Sequence, residues 1–241
     1  LVIYDNMNKE NFEIDNEENL AKTKYFSNFA LKHFSEMKIL KKGGILGKEN
    51  KDWRNISEHC LVEAVGADIL AECLGADRDA VVEAALIHDW YKRREIEKMK
   101  ISGAVKGHRD ILAEDINLLK EYGVDKKIIK ISHSNIPEKS DLEYLKNRSL
   151  EEKIMHYIDM ITSGSEFMDF NKRINIAQEK KHNVDFSESY RERYGGKALN
   201  ELQIEVAAME QEELETILNL QQDVLIDFIK EKLEERIKEY E

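Results

Sequence analysis

The fold turns on one stretch, Ala80-Val81-Val82-Glu83-Ala84-Ala85-Leu86-Ile87-His88-Asp89. At helical periodicity Ala80, Val81, Ala84, Ala85, Leu86 and Ile87 leave hardly any polar face, and a helix apolar almost all round belongs at the centre of a protein. Asp77 or Asp79 is placed to open it. It runs into a histidine and an aspartate, and a buried ionised carboxylate is costly unless it is paired or metal-bound.

Working outward, the neighbouring segments are helical as well. Upstream, Ser57 reads as the cap of a helix running to about Leu74, with Gly75 closing it. Before that, a polar lead-in over 5–20 precedes Leu20, Phe26, Phe29, Ala30, Phe34, Met37 and Leu40 at amphipathic spacing, ended by Lys41-Lys42-Gly43-Gly44. Downstream, polar sequence to about Gly107 is followed by helices over about 108–122 and from Asp125 to His133, and Pro137 then enforces a break. Ser149 and Glu152 have capping-box spacing for a helix reaching Thr162. The stretch 165–200 is less regular, with Gly195-Gly196 as a breaker. Leu214, Leu218, Leu225, Phe228, Ile229, Leu233 and Ile237 form a final stripe, read as a terminal helix or helical hairpin packed on the domain or on a second copy.

The totals agree with an all-α protein. One proline in 241 residues and an abundance of Ala, Leu, Ile, Glu and Lys favour helices throughout. The organisation that follows is an N-terminal helical extension (1–50), a core (51–165) and a C-terminal helical extension (166–241). A formal net charge of −12 repels a phosphate backbone, which argues against an extended nucleic-acid surface. A small phosphate ester stays compatible, because cations gathered in a pocket act locally. Cys60 and Cys73 on one helix lie ~20 Å apart, too far for a disulfide, and free thiols fit a reducing cytoplasm. The start Leu1-Val2-Ile3-Tyr4-Asp5 is too quickly acidic for a signal peptide, and no stretch approaches the length of a membrane span. Gly43, Gly44, Gly47 and Lys48 lack the spacing and the Ser/Thr of a phosphate loop.

The polar residues that carry chemistry stand on apolar faces. His59 is followed at i+3, i+7, i+10 and i+14 by Val62, Gly66, Ile69 and Cys73. His108 precedes Ile111, Leu112, Ile116 and Leu119, His133 lies four residues after Ile129, and Asp159 lies between Ile158 and Met160. With His88 and Asp89, this makes four histidines and two aspartates aimed inward from five helices. A lone buried histidine is usually a satisfied core group; several aimed at one interior are best satisfied by shared metal ions, for which His and Asp are suitable ligands.

The pattern resembles the H…HD…D signature of the HD phosphohydrolase superfamily. Asn55-Ile56-Ser57-Glu58-His59 is similar to the segment around the first histidine, Ala84-Ala85-Leu86-Ile87-His88-Asp89 to the run into the HD pair, and Ile158-Asp159-Met160-Ile161-Thr162 to the final Asp helix. His108 and His133 match the extra histidines of the dinuclear branches. The resemblance covers about 54–165. It implies an HD-domain helical bundle with two divalent transition metals (Fe, Mn, Co or Ni, with Zn or Mg as further choices). By that resemblance one ion would be held by His59, His88, Asp89 and Asp159, Asp89 would bridge to a second held by His108 and His133, and a hydroxide between the metals would attack phosphorus. The implied activity is hydrolysis of a small phosphate ester or anhydride, a nucleotide or dinucleotide foremost.

Asp89 and Lys92 are the expected catalytic residues. Lys92 stands three residues after Asp89, where it clamps a phosphate oxygen or protonates the leaving group. Arg54, Lys106 and Arg109, which flank the ligands, are expected with Lys92 to contact substrate phosphates. His33, His156 and His182 are not expected to be ligands. The Gly-Tyr-Pro element of the HD-GYP branch is absent, since Arg93-Arg94-Glu95 follows Lys92, which places a cyclic di-GMP role in doubt. Two alternatives stand beside hydrolysis: a mixed-valent di-iron oxygenase acting on a small polyol or phosphonate, and a non-catalytic nucleotide-binding module. A homodimer is compatible with the extensions.

Overall fold

The computed structural model describes residues 17–134, 147–179, 181–191 and 196–240, and these are all-α apart from one two-stranded hairpin. In chain order the helices are α1 (Glu17–Lys32), α2 (Phe34–Lys42), a 3-10 segment (Lys48–Trp53), α3 (Arg54–Leu74), α4 (Arg78–Ile87), α5 (Lys92–Ser102), α6 (Ala104–Glu121), α7 (Lys126–Ser132) and α8 (Leu150–Ile161). The strands β1 (Thr162–Ser163) and β2 (Glu166–Phe167) follow, pairing Thr162 with Phe167 and Ser163 with Glu166. Then come α9 (Phe170–Gln178), α10 (Lys181–Glu188), α11 (Leu199–Ile217) and α12 (Leu225–Lys238).

The central position of α4 is borne out. Ala80, Val81, Val82, Ala84, Ala85, Leu86 and Ile87 are all buried. The Asp77 side chain caps the helix by accepting from the Ala80 N–H at 3.2 Å. Around α4 pack α2, α3, α7 and α8. Gly75 ends α3 in the left-handed region (φ 69°), and the Ser149–Glu152 capping box opens α8, both as read from the sequence. Gly66 lets α3 approach α8 and the hairpin closely: a Cβ there would stand 2.7 Å from Phe167 and 3.0 Å from Ile158.

The flanking helices pack onto this centre. α1 pairs with α12, α12 lies on α3, and α11 lies on α8. The C-terminal stripe forms a hairpin of two helices. The buried Glu215 carboxylate fixes its turn by accepting from the N–H groups of Asp223, Val224 and Leu225 at 2.9–3.1 Å, which caps α12.

Four local expectations are corrected. The helix carrying His59 starts at Arg54, so Ser57 is not its cap; the Ser57 hydroxyl donates to the Arg54 carbonyl within the first turn at 2.8 Å. The polar stretch after Asp89 is helical as α5, because Lys, Arg and Glu are good helix formers and its buried anchor is a carboxylate, Glu95, rather than an apolar stripe. The irregular stretch after 165 contains α9, capped by the Asp169 side chain, and α10. The 20–40 helix is broken at His33, whose backbone (φ −105°, ψ 42°) leaves helical geometry. Pro137, most of the polar lead-in and Gly195 lie outside the described residues. Among the described residues, no helix is long and apolar enough to cross a membrane.

Candidate metal centre

The centre is assembled from two helices and the turn that follows a third. His59 and Glu63 occupy successive turns of α3, His88 follows the last turn of α4, and Asp159 lies in the last turn of α8. One ligand atom from each lies within 4.8 Å of the others. His59 Nε2 is 2.9 Å from Glu63 Oε1 and 3.6 Å from Asp159 Oδ1, and His88 Nδ1 is 3.1 Å from Glu63 Oε2. Glu63 is fully buried, yet neither of its oxygens makes a well-angled hydrogen bond. Its approaches to the imidazoles are therefore charge contacts without hydrogen-bond alignment, an arrangement a cation among the four groups would satisfy. Two nitrogens and two carboxylates suit a divalent transition metal.

The electrostatics express a local excess of acid. Burial pulls the His59 imidazole down, but Glu63 and Asp159 outweigh it and push it up to about 10. His88 is raised in the same way, with Glu63, Asp89 and Asp159 overcoming burial. Burial raises Glu63 despite both imidazoles. Asp159 goes the other way: burial opposes ionisation, but Arg173 and the two histidines hold it well below the usual carboxylate range. Protons and a metal ion would compete for the imidazole nitrogens at such a site. The His88 Nδ1–H donates to the Ala85 carbonyl at 2.8 Å, which fixes the ring as backbone acceptors do for metal-ligating histidines.

Asp89 stands at the rim, its Oδ2 3.8 Å from His88 Nε2 and its Oδ1 3.7 Å from Lys92 Nζ. Lys92 also reaches Glu95 Oε2 at 3.0 Å, and Asp89 and Glu95 together raise its pKa. The other oxygen of Glu95 accepts from His108 Nδ1. Burial would raise Glu95, but Lys92 and His108 bring it down to about 2. His108 is thus linked to the four-residue group through Glu95, Lys92 and Asp89.

His133 lies in a different pair. Its Nε2 is 2.8 Å from Oδ2 of the fully buried Asp115, its Nδ1 is 2.8 Å from the Ile129 carbonyl, and its ring stacks on Tyr91. Of the expected ligands, then, His59, His88 and Asp159 come together with Asp89 beside them, while His108 and His133 each face a carboxylate of their own. Arg54 pairs with Glu58 at 2.6 Å and Lys106 with Asp110 at 2.7 Å on exposed helix surface; the side chain of Arg109 lies outside the described residues. His156 donates toward Glu210 at 2.5 Å, away from the centre.

Two residues of the centre were missed from sequence. Glu63 lies at i+4 from His59, on the same helical face as Val62 and Gly66, and a glutamate inside the apolar run from Cys60 to Ala67 was the available signal. Arg173 gave none. It enters from α9, outside the segment of resemblance, and its guanidinium donates to Asp159 Oδ1 at 2.8 Å and to the Thr162 carbonyl at 2.7 Å. Comparison of the chain with protein-family models, with curated proteins and with solved structures returns no match.

Proposed function

We propose that the chain is a metal-dependent phosphohydrolase of the HD type, acting on a small phosphate ester or anhydride, a nucleotide or dinucleotide foremost. One observation carries the reading: a buried His59–Glu63–His88–Asp159 group of metal-ligand chemistry, bordered by Asp89 and the Lys92 ammonium. Those four residues, with Asp89 at the rim, would hold the ion. A divalent ion in such a site supplies Lewis acidity and a water of lowered pKa. Asp159 is kept ionised and oriented by Arg173, and Glu63 would contribute a second carboxylate from a fully buried position. Lys92, about one-third exposed at its side chain, is the cation available to phosphoryl oxygens next to Asp89.

The test is metal content per chain on protein purified without chelators, with phosphate release scored across a nucleotide and dinucleotide panel on the same sample. Bound transition metal together with release from a member of the panel is the expected result. A chain that takes up no Mn or Fe, or a metal-loaded chain inert on every substrate, would overturn the reading.

A further inference from the structure

We propose that the Lys92 ammonium takes the place of a second metal ion, so that the chain carries one ion rather than two. This rests on the metal-dependent reading above and narrows it. The observation is where Lys92 sits. Its Nζ lies between two carboxylates, 3.0 Å from Glu95 Oε2 and 3.7 Å from Asp89 Oδ1, with Asp89 at the rim of the four-residue group. A carboxylate only accepts, so His108 Nδ1 carries the proton it shares with Glu95. His108 Nε2 is left buried with no partner. Asp89, Glu95 and His108 thus offer two oxygens and a nitrogen of the right chemistry for an ion, and one ammonium already stands between the two oxygens and offsets one of the two negative charges. A dication entering beside it would meet a like charge at close range in a partly buried site.

The remaining histidine does not shift the balance. His133 turns its Nε2 to Asp115 at 2.8 Å, and Arg94 adds a further cation 3.9 Å from that carboxylate. Recruiting His133 would leave Asp115, which is fully buried, without its imidazole partner. Fixed by Glu95, Lys92 stands next to Asp89 as the positive charge that would otherwise be supplied by a second ion.

The experiment counts Mn2+ per chain after equilibrium dialysis and records its EPR spectrum, on wild type, Lys92→Met, His108→Ala and the Lys92→Met/His108→Ala double variant, with folding followed by far-UV circular dichroism. The expected counts are one ion for wild type and for His108→Ala, with the spectrum of an isolated ion. Lys92→Met should take up two ions, with the spectrum of a coupled pair, and the double variant should return to one. Two ions in wild type falling to one in His108→Ala would overturn the inference while leaving the metal-dependent reading intact. A folded Lys92→Met protein that stays at one ion would also overturn it, and no ion in wild type would overturn both. Should Lys92→Met not fold, the wild-type and His108→Ala counts decide alone.

Discussion

Gly43 ends α2 with ordinary right-handed dihedrals (φ −71°, ψ −7°), so its backbone has no need of glycine. At such a position Gly→Ala normally stabilises a protein by roughly 0.4–1 kcal/mol, through the unfolded chain. Here the sign should reverse. A Cβ on residue 43 would stand 1.8 Å from the Trp90 carbonyl oxygen, 2.9 Å from its carbon and 3.2 Å from the indole ring. An unstrained carbon–oxygen contact needs about 3.3 Å, so α2 and the turn after Asp89 must separate by roughly 1.5 Å. Overpacking costs ~1–3 kcal/mol, and a clash with backbone rather than with a movable side chain places Gly43→Ala at about the upper end. For a chain of this length ~2–3 kcal/mol net corresponds to a melting temperature lowered by roughly 4–12 °C. Trp90 directly follows the His88-Asp89 pair, so the shift should also weaken Mn2+ binding. Scanning calorimetry and Mn2+ titration calorimetry on the two proteins measure both. A Gly43→Ala protein that melts at or above wild type would refute the reasoning, because the unfolded-chain effect alone predicts that outcome.

Other outcomes follow from the centre and its surroundings. A ligand at one hundred times its Kd adds ~2.7 kcal/mol of stability, so Mn2+ should raise the wild-type melting temperature by roughly 5–11 °C, and Glu63→Gln, close in shape but uncharged, should abolish the rise; an unchanged rise would remove Glu63 from the ligand set. Arg173→Ala should weaken Mn2+ binding by roughly 10–100-fold by releasing Asp159, read by titration calorimetry, and an unaltered affinity would show that Asp159 needs no outer support. Burial raises the Asp68 carboxyl, but Arg78 and Arg236 overcome it and hold its pKa below the usual range. A depressed carboxyl contributes stability that is present above the unfolded value of about 3.9 and is lost as pH falls through the folded value. Urea melts of wild type and Asp68→Asn should therefore differ by a constant amount above about pH 5 and converge below about pH 4; a gap that persists unchanged into stronger acid would contradict the assignment.

Much of the fold was legible because helix signals are local. The apolar run of α4, the Asp77 cap, the Gly75 stop and the Ser149–Glu152 box each lie within a few residues, and the structure carries all four. The failures came where the local signal was absent or of another kind. α5 buries a glutamate instead of an apolar stripe, so its periodicity says nothing, and the helix is held by Glu95 meeting Lys92 and His108.

For the centre, the sequence by itself determined which residue types face the interior: His59, His88 and Asp159 follow from the faces of α3, α4 and α8, since side-chain direction on a helix is set by spacing alone. Only the tertiary structure decided which of the inward-facing groups share one point. That outcome depends on how helices distant in sequence pack, and no spacing rule records it. Packing brought Glu63 and Arg173 to His59, His88 and Asp159, turned His108 to Glu95 and His133 to Asp115, and left Lys92 between two carboxylates.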